Sequence, residues 1–492
     1  MAFRFMALLK QRKFLTQTSL YFQDTARTFT IQFFGATRIW TIEPENVKTI
    51  LQSDDFEMGW IRNKAFRPYL GNGVQATNGE VWAHGRALLR PSFSRAQISN
   101  LDLYEEHFQN FAALIPEDGS TIDIQKEFHR LTLDVSTEIL FGESVQCLQP
   151  VVSKETQELE AAFDYATKGV ITRFNMGNLI WLHWDPKFTR SVRTVQNYVQ
   201  KFVEKALLLR HELDQPDKED DQTGGGRYIF LEALAKDTGD RRMLRDQLLS
   251  MMAAGRSNTA SLLSLIFYLL ARHPSVLQKL RAEIAILNNQ PPTFEQLKSM
   301  PYLRAVLDES KSSPPPLLPR DNLTSPLHPQ HYKKLTNPNR AALRTHPSAP
   351  VNERAAKRDT TLPLGGGADG RAPIYVRKGQ TVFYHTYALH RSAELWGDDA
   401  AEFRPERWAE LRNGSPRKGG SAGTGAGTAW RFVPFGGGGR ICPGRESFFS
   451  ASFFFDFVRS FQICIFLRFF MSSFFWGFSF FGWLWAWRLF FF

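Results

Sequence analysis

Cysteine is scarce: Cys147, Cys442 and Cys464 are the only three in 492 residues, and no two form a C-x-x-C pair. That spacing argues against a disulfide framework or a cysteine-rich zinc site, and a reducing compartment fits. An early apolar run is also missing, since residues 1–10 are too short a stretch for a signal peptide or membrane span. No lysine follows the glycine run at 436–439, so no phosphate-binding Gly-x-x-x-x-Gly-Lys-Ser/Thr loop is present. Lysine and arginine nowhere cluster with interleaved aromatics, so a net charge of +11 carries no nucleic-acid footprint.

What the chain does have is unevenly spread. Residues 310–341 hold seven prolines and five basic residues against one acid, while residues 445–492 hold 18 of the 43 phenylalanines. The remainder is mildly basic, a balance that favours an anionic membrane surface or an acidic partner. With 43% hydrophobic and 22% charged residues, the composition is globular.

Residues 29–42 alternate as strands do, and Pro44 opens a short helix through residue 51. Apolar residues recur at helical spacing over 82–89, 101–114 and 128–140. Residues 211–227, charged and ending in glycine, read as a surface loop. The longest helical pattern, 244–270, is apolar on nearly every face, as in a helix buried through the middle of a large domain. Its pattern breaks at 253–259. Gly255 there costs a helix about 1 kcal/mol relative to alanine, which predicts a notch for a close neighbour. Beyond residue 371, short β-type segments at 374–376 and 381–384 give way to glycine-rich loops.

The sharpest local signal is Phe435-Gly-Gly-Gly-Gly-Arg440-Ile-Cys442-Pro443-Gly444. Glycines let a backbone lie close against a flat cofactor and leave amide N–H groups free to point at a sulfur, so the pattern suits a cysteine thiolate presented to a metal. Arg440 adds positive charge for acidic groups on that cofactor. Pro443 suits the first turn of a following helix, whose N-terminus helps keep the sulfur deprotonated.

This stretch resembles the haem signature of the cytochrome P-450 superfamily, Phe-x-x-Gly-x-Arg-x-Cys-x-Gly, at Phe435, Gly438, Arg440, Cys442 and Gly444. Trp82-Ala-His-Gly-Arg86 is similar to the family's Trp-x-x-x-Arg helix, whose two named residues bond a haem propionate. Residues four apart do share a helix face. Phe403-Arg-Pro-Glu-Arg407-Trp408 resembles the segment before the haem loop, and the likeness runs from about Phe29 to Gly444. Asp359-Thr-Thr-Leu-Pro-Leu-Gly-Gly-Gly-Ala-Asp-Gly370, Leu389-His390-Arg391 and Pro350-Val-Asn-Glu-Arg354 are similar to the fungal alkane and fatty-acid omega-hydroxylases. Arg354 would then be a second arginine on the propionates.

The resemblance implies a mainly α-helical fold with a small β lobe and haem (heme) bound through Cys442. It further implies O₂-dependent monooxygenation of a lipophilic substrate, a long-chain alkane or fatty acid, with electrons from NADPH through a reductase. Cytosolic-face endoplasmic reticulum membrane association is expected by the same likeness, although the family's N-terminal anchor and proline-rich hinge are not found here. No nucleic-acid partner is expected. At the oxygen-activation helix the family has Ala-Gly-x-Asp/Glu-Thr, an acid and an alcohol that relay protons. Here Ala254 and Gly255 put Ser257 at the acid and Asn258 at the alcohol, with Thr259 one residue further and rotated by about 100°. Ser257 supplies no carboxylate, and Asn258 is a poor proton relay.

Two segments depart from the family pattern. Its Glu-x-x-Arg pair is split between Glu309 and Arg344 by the insert 310–341, whose prolines cannot continue a helix. With Arg407 the pair would form a buried ionic cluster. Ser310-Lys311-Ser312 and Arg445-Glu446-Ser447 can both be encoded by splice-donor-like strings, so 310–341 and 445–492 read as translated intron around a domain spanning 1–444. The uncharged run 469–487 is long enough for a membrane span, but 11 of its 19 residues are Phe or Trp. Two alternatives stay open: a haem-thiolate peroxide isomerase or dehydratase, and a mis-spliced chain that binds no haem.

Overall fold

The computed structural model describes residues 13–444 except 34, 94–100, 117, 119, 214–228, 289, 291, 310–343, 345–346, 348 and 413–429. Residues 1–10, the insert 310–341, the tail 445–492 and Cys464 lie outside the described residues.

Seven strands are described: β1 (Thr28–Phe33), β2 (Ala36–Thr41), β3 (Phe56–Glu57), β4 (Asn352–Ala356), β5 (Thr360–Gly366), β6 (Ala372–Val376) and β7 (Thr381–Tyr384). The alternation at 29–42 folds as the antiparallel β1–β2 hairpin, Thr28 opposite Thr41 and Phe33 opposite Ala36. It turns at Gly35, whose φ of 78° is the left-handed geometry that glycine allows without strain. Ile31, Phe33, Ile39 and Trp40 from the hairpin are buried. The main sheet runs β1-β2-β7-β4-β3, with β2–β7 parallel, and β5–β6 makes a separate hairpin. Sequence-distant strands thus bring Arg354 on β4 beside Phe56 and Glu57 on β3.

The helical lobe is built around the helix Arg241–Arg272, capped by Asp240, whose carboxylate accepts from Arg242 N at 2.9 Å and Met243 N at 3.1 Å. One end of it buries Leu244, Leu248, Leu249 and Met252 in a core with Tyr69 and Phe163. The other buries Leu263, Ile266, Phe267 and Leu270 with Phe108, Phe111 and Phe128. A helix that serves two cores has no solvent face, which explains its apolar residues all round. It runs unbroken through 253–259. A Cβ on Gly255 would lie 2.7 Å from Ser136 Oγ of the helix Ile124–Phe141, and Thr132 of that helix donates to Arg256 O at 2.9 Å. The glycine is a packing notch.

The loop at 211–227 begins later than the sequence suggests, because the helix Pro186–Leu213 continues through its first three residues. Among the described residues no single helix is long and apolar enough to cross a membrane.

Candidate active site

The cysteine loop is closed by its own backbone: Cys442 N donates to Phe435 O at 3.0 Å, Ile441 N to Gly438 O at 3.2 Å and Gly436 N to Val433 O at 3.1 Å. Gly436 and Gly438 take φ values of 71° and 63°. A Cβ on Gly438 would sit 1.8 Å from the Leu51 carbonyl, at the end of the helix Pro44–Gln52, so no side chain fits there. Gly444 is close enough that its own Cβ would lie 4.0 Å from the Cys442 sulfur. The Cys442 side chain is exposed.

The helix Gly79–Leu89 docks on this loop. Arg86 donates to Ile441 O at 2.7 Å, and the Arg440 guanidinium lies 4.3 Å from the Trp82 ring centroid. Arg440 also donates to Thr77 O at 3.1 Å and Asn78 Oδ1 at 2.8 Å. Arg354 donates to the Glu353 carbonyl at 2.7 Å and lies 3.3 Å from Met58 Sδ. Among the described residues, none of Arg86, Arg354 or Arg440 forms an ion pair with a carboxylate. Burial, reinforced by repulsion from Arg354, Arg62 and Arg86, holds Arg440 down to about 9. Burial also lowers Arg62 to about 10.

The buried Arg62 and Arg354 share the buried Glu353 carboxylate, and the half-buried Arg86 and Arg440 add two more cations, so the site gathers more positive than negative charge and suits a ligand bearing carboxylates. A haem carries two, and its iron takes a thiolate. The exposed Cys442, the close-lying glycine backbone and the convergent arginines fit that group. No group of three or more His, Cys, Asp or Glu among the described residues could hold a metal ion. Arg62 was not legible as a site residue, because nothing local marks it. It joins the cluster only through the fold.

The oxygen-activation positions lie elsewhere along the central helix. A small cavity lies between the helix Trp60–Leu70, the helix Lys154–Met176, Gln75 and the central helix; Ser257 and Asn258 line it, and Thr259 does not. Asn258 Nδ2 donates back to Ala254 O at 3.3 Å. The adjacent Arg256 is buried and paired with Asp164. The loop roofing this region is tied to the central helix by side chains that the sequence does not single out. Asn72 N donates to Asp246 Oδ2 at 2.7 Å, Val74 N to Gln247 Oε1 at 3.2 Å and Gln75 Nε2 to Ser250 O at 3.0 Å.

Glu309 and Arg344 meet despite the segment between them. The Glu309 carboxylate accepts from Arg344 Nη2 at 3.2 Å, Arg407 Nε at 3.2 Å, Trp408 Nε1 at 2.9 Å and Arg404 N at 3.2 Å. All three members of the ion cluster are buried, and Arg407 also donates to Asp399 Oδ1 at 2.8 Å. Arg344 donates to His390 O at 2.8 Å, and His390 Nε2 accepts from Val433 N at 2.9 Å, just before the cysteine loop. The cluster therefore reaches the loop through His390, a coupling that the sequence does not reveal.

Comparison with known proteins shows the family of the chain. A family model for cytochrome P450 matches residues 2–325 and 342–446. The match starts well ahead of Phe29, where the sequence likeness was expected to begin, and it skips only 326–341 of the proline-rich segment. The chain is 37% identical over 449 residues to cytochrome P450 monooxygenase fsdH of Fusarium heterosporum, covering 89% of this chain and 70% of that protein. It is 37% identical to cytochrome P450 52-E3 of Starmerella bombicola over 84% of this chain and 72% of that one. With cytochrome P450 52A5 of Candida maltosa the identity is 39%, over 85% and 73%. A cysteine loop cradled by glycines, arginines gathered for carboxylates and a match along most of the chain lead to one conclusion: the chain belongs to the cytochrome P450 family of haem-thiolate oxidoreductases.

Proposed function

We propose that the protein hydroxylates a lipophilic substrate, a long-chain alkane or fatty acid, using O₂ and electrons passed from NADPH through a reductase. The observation that carries this reading is the glycine-cradled Cys442 loop, and a small cavity lined in part by Phe66, Leu70, Val170, Ala253 and Ala254 supports a lipophilic substrate. Haem, when bound, supplies O₂ activation and the transfer of one oxygen atom to a C–H bond, the other leaving as water. Cys442 would hold its iron through the thiolate, Arg86, Arg354 and Arg440 would hold its carboxylates, and Trp82 packs against Arg440. The loop's hydrogen bonds hold the sulfur in place, and the apolar lining excludes water from the bound chain. A mildly basic core suits a reductase with an acidic docking face. The test is incubation of the haem-loaded chain with dodecane or dodecanoate, reductase and NADPH. Hydroxylated product supports the reading; its absence with both substrates, haem content being intact, contradicts it.

A second reading has one observation in its favour. Ser257 stands where the family pair has its carboxylate and Asn258 where it has its alcohol, which suits a peroxide isomerase or dehydratase that needs no proton delivery to O₂. Turnover of a fatty-acid hydroperoxide without NADPH would establish it in place of the first.

Membrane association, at the cytosolic face of the endoplasmic reticulum, belongs to the same proposal. Its support is one segment with exposed aromatics, Trp181 at 76% and Trp184 at 88%, beside the half-exposed Leu182. Replacing both tryptophans with serine should reduce binding to phospholipid vesicles; unchanged binding would remove this support.

A further inference from the structure

The β1–β2 hairpin carries a cation that the described residues leave unanswered. Arg38 of β2 is 8% exposed, its Nη2 is buried without a hydrogen-bond partner, and its guanidinium makes no hydrogen bond or ion pair among the described residues. Its contacts are aromatic: the guanidinium carbon lies 4.3 Å from the Phe33 ring centroid and 5.5 Å from that of Phe383. Glu353 acts on it only from a distance, and that carboxylate is already engaged. It accepts from Gly59 N at 3.1 Å and is shared by Arg62 and Arg354. Three buried arginines therefore meet one buried carboxylate.

Beside Nη2 the backbone leaves room. The helix Lys154–Met176 ends at Gly177, whose φ is 57°, and a Cβ on Gly177 would lie 2.8 Å from Arg38 Nη2 and 3.4 Å from the Phe33 ring. A side chain there would press a carbon against the guanidinium; glycine leaves that point open at the distance of a hydrogen-bonded oxygen. The segment that begins at Gly177 also carries the exposed Trp181, so the open point lies under the aromatic rim assigned above to the lipid surface. A buried cation without its anion is costly, and the planar fork of a guanidinium matches the two oxygens of a carboxylate. The Phe33 and Phe383 rings suit the methylenes that follow such a head group. Burial lowers Arg38 to about 10, so it stays charged at neutral pH, where a free carboxylic acid is ionised. We infer that Arg38 is a specificity residue that binds the carboxylate of the substrate, so that a long-chain fatty acid is preferred over a neutral lipid of the same length. This rests on the lipophilic-substrate reading above and narrows it, since a bare alkane leaves Arg38 unpaired.

The experiment is equilibrium dialysis of the haem-loaded full chain with decanoate and 1-decanol, repeated for Arg38→Gln and Arg38→Lys. The reduced carbon monoxide spectrum of each variant serves as the check on folding. The expected result is tighter binding of decanoate than of 1-decanol by the unaltered chain, and a roughly tenfold fall in decanoate affinity in Arg38→Gln with 1-decanol unchanged. Arg38→Lys, which keeps the charge but not the fork, should fall between the two and holds the test open if the glutamine variant does not fold. A decanoate-to-decanol ratio that neither variant alters overturns the inference, since the guanidinium is then satisfied by water, while the lipophilic-substrate reading stands. Equal losses for both ligands also overturn it and make Arg38 a structural residue. Weakened binding to anionic phospholipid vesicles with decanoate affinity unchanged overturns it in favour of a head-group site. An unaltered chain with an intact spectrum that binds neither ligand contradicts the substrate reading itself, and the inference falls with it.

Discussion

His385 shows how a buried residue makes stability depend on pH. Its Nδ1 accepts from Ala388 N at 3.1 Å, which leaves Nε2 to donate to Thr18 Oγ1 at 2.8 Å. Thr18 Oγ1 donates in turn to Phe14 O at 2.7 Å, so the hydroxyl accepts from the ring and the imidazole is neutral. Burial pushes His385 down to about 3. In the unfolded chain an ordinary histidine titrates near 6.5, so between about 6.5 and 3 the unfolded state binds the extra proton. Stability therefore falls as pH drops through that window, by about 1.4 kcal/mol per unit, or about 2 kcal/mol between pH 6.5 and 5. Denaturant unfolding at pH 7, 6 and 5 should show that decline, and His385→Gln should remove its share of the slope. Parallel slopes for the two proteins would refute the assignment. Burial lowers His129 to about 3 as well, so the decline in the variant is reduced rather than abolished.

At the scale of elements, the decisive feature is the ionic cluster that joins the helix Pro301–Glu309 to the residues before the cysteine loop. Burial lowers Arg344 to about 10, against the opposing pull of the Glu309 carboxylate. Removing that carboxylate with Glu309→Ala leaves Arg344 charged and buried, and the expected loss is about 3–5 kcal/mol. Glu406→Gln is the control: Glu406 pairs with Lys279 at 2.6 Å on a half-exposed surface, and its loss should cost less than about 1 kcal/mol. Equal effects in a denaturation series would mean that the cluster is not the support described here.

Elements differ in how readable they are from the chain, and the difference follows the range of the interactions. The β1–β2 hairpin is legible because its alternation and its turn are local. So is the notch at Gly255, since the cost of a glycine within a helix is itself a local signal. Cys442 and its glycines are legible because the loop makes its own hydrogen bonds. By contrast, Trp82 and Arg86 show only a shared helix face; the partner carbonyl of Arg86 is 355 residues away. Arg62 has no local mark. Asp246, Gln247 and Ser250 look like ordinary helix positions until the loop after Leu70 folds onto them. His390, whose ring links Arg344 to Val433, stands in the sequence only as part of a family likeness.

Over the whole molecule, the cluster closes between Glu309 and Arg344 although 34 residues separate them in the chain. We propose that 310–341 and 445–492 are retained non-coding sequence and that the working domain is the remainder of 1–444. Sequencing of the spliced transcript should show both segments missing. A mature message that carries both in frame would contradict the proposal and make the aromatic run 469–487 a candidate membrane anchor. The same closure predicts that a chain lacking 310–341, with Glu309 followed directly by Ala342, Leu343 and Arg344, keeps the cluster.

All of this serves one claim, that Cys442 is the thiolate ligand of a haem held in the glycine loop beside Trp82, Arg86, Arg354 and Arg440. The direct measurement is the absorbance of the reduced, carbon monoxide-bound protein, compared with that of Cys442→Ser. The account predicts a band near the wavelength from which the family takes its name, and its loss in the serine variant even where haem is retained. A serine variant that keeps the thiolate band would contradict it.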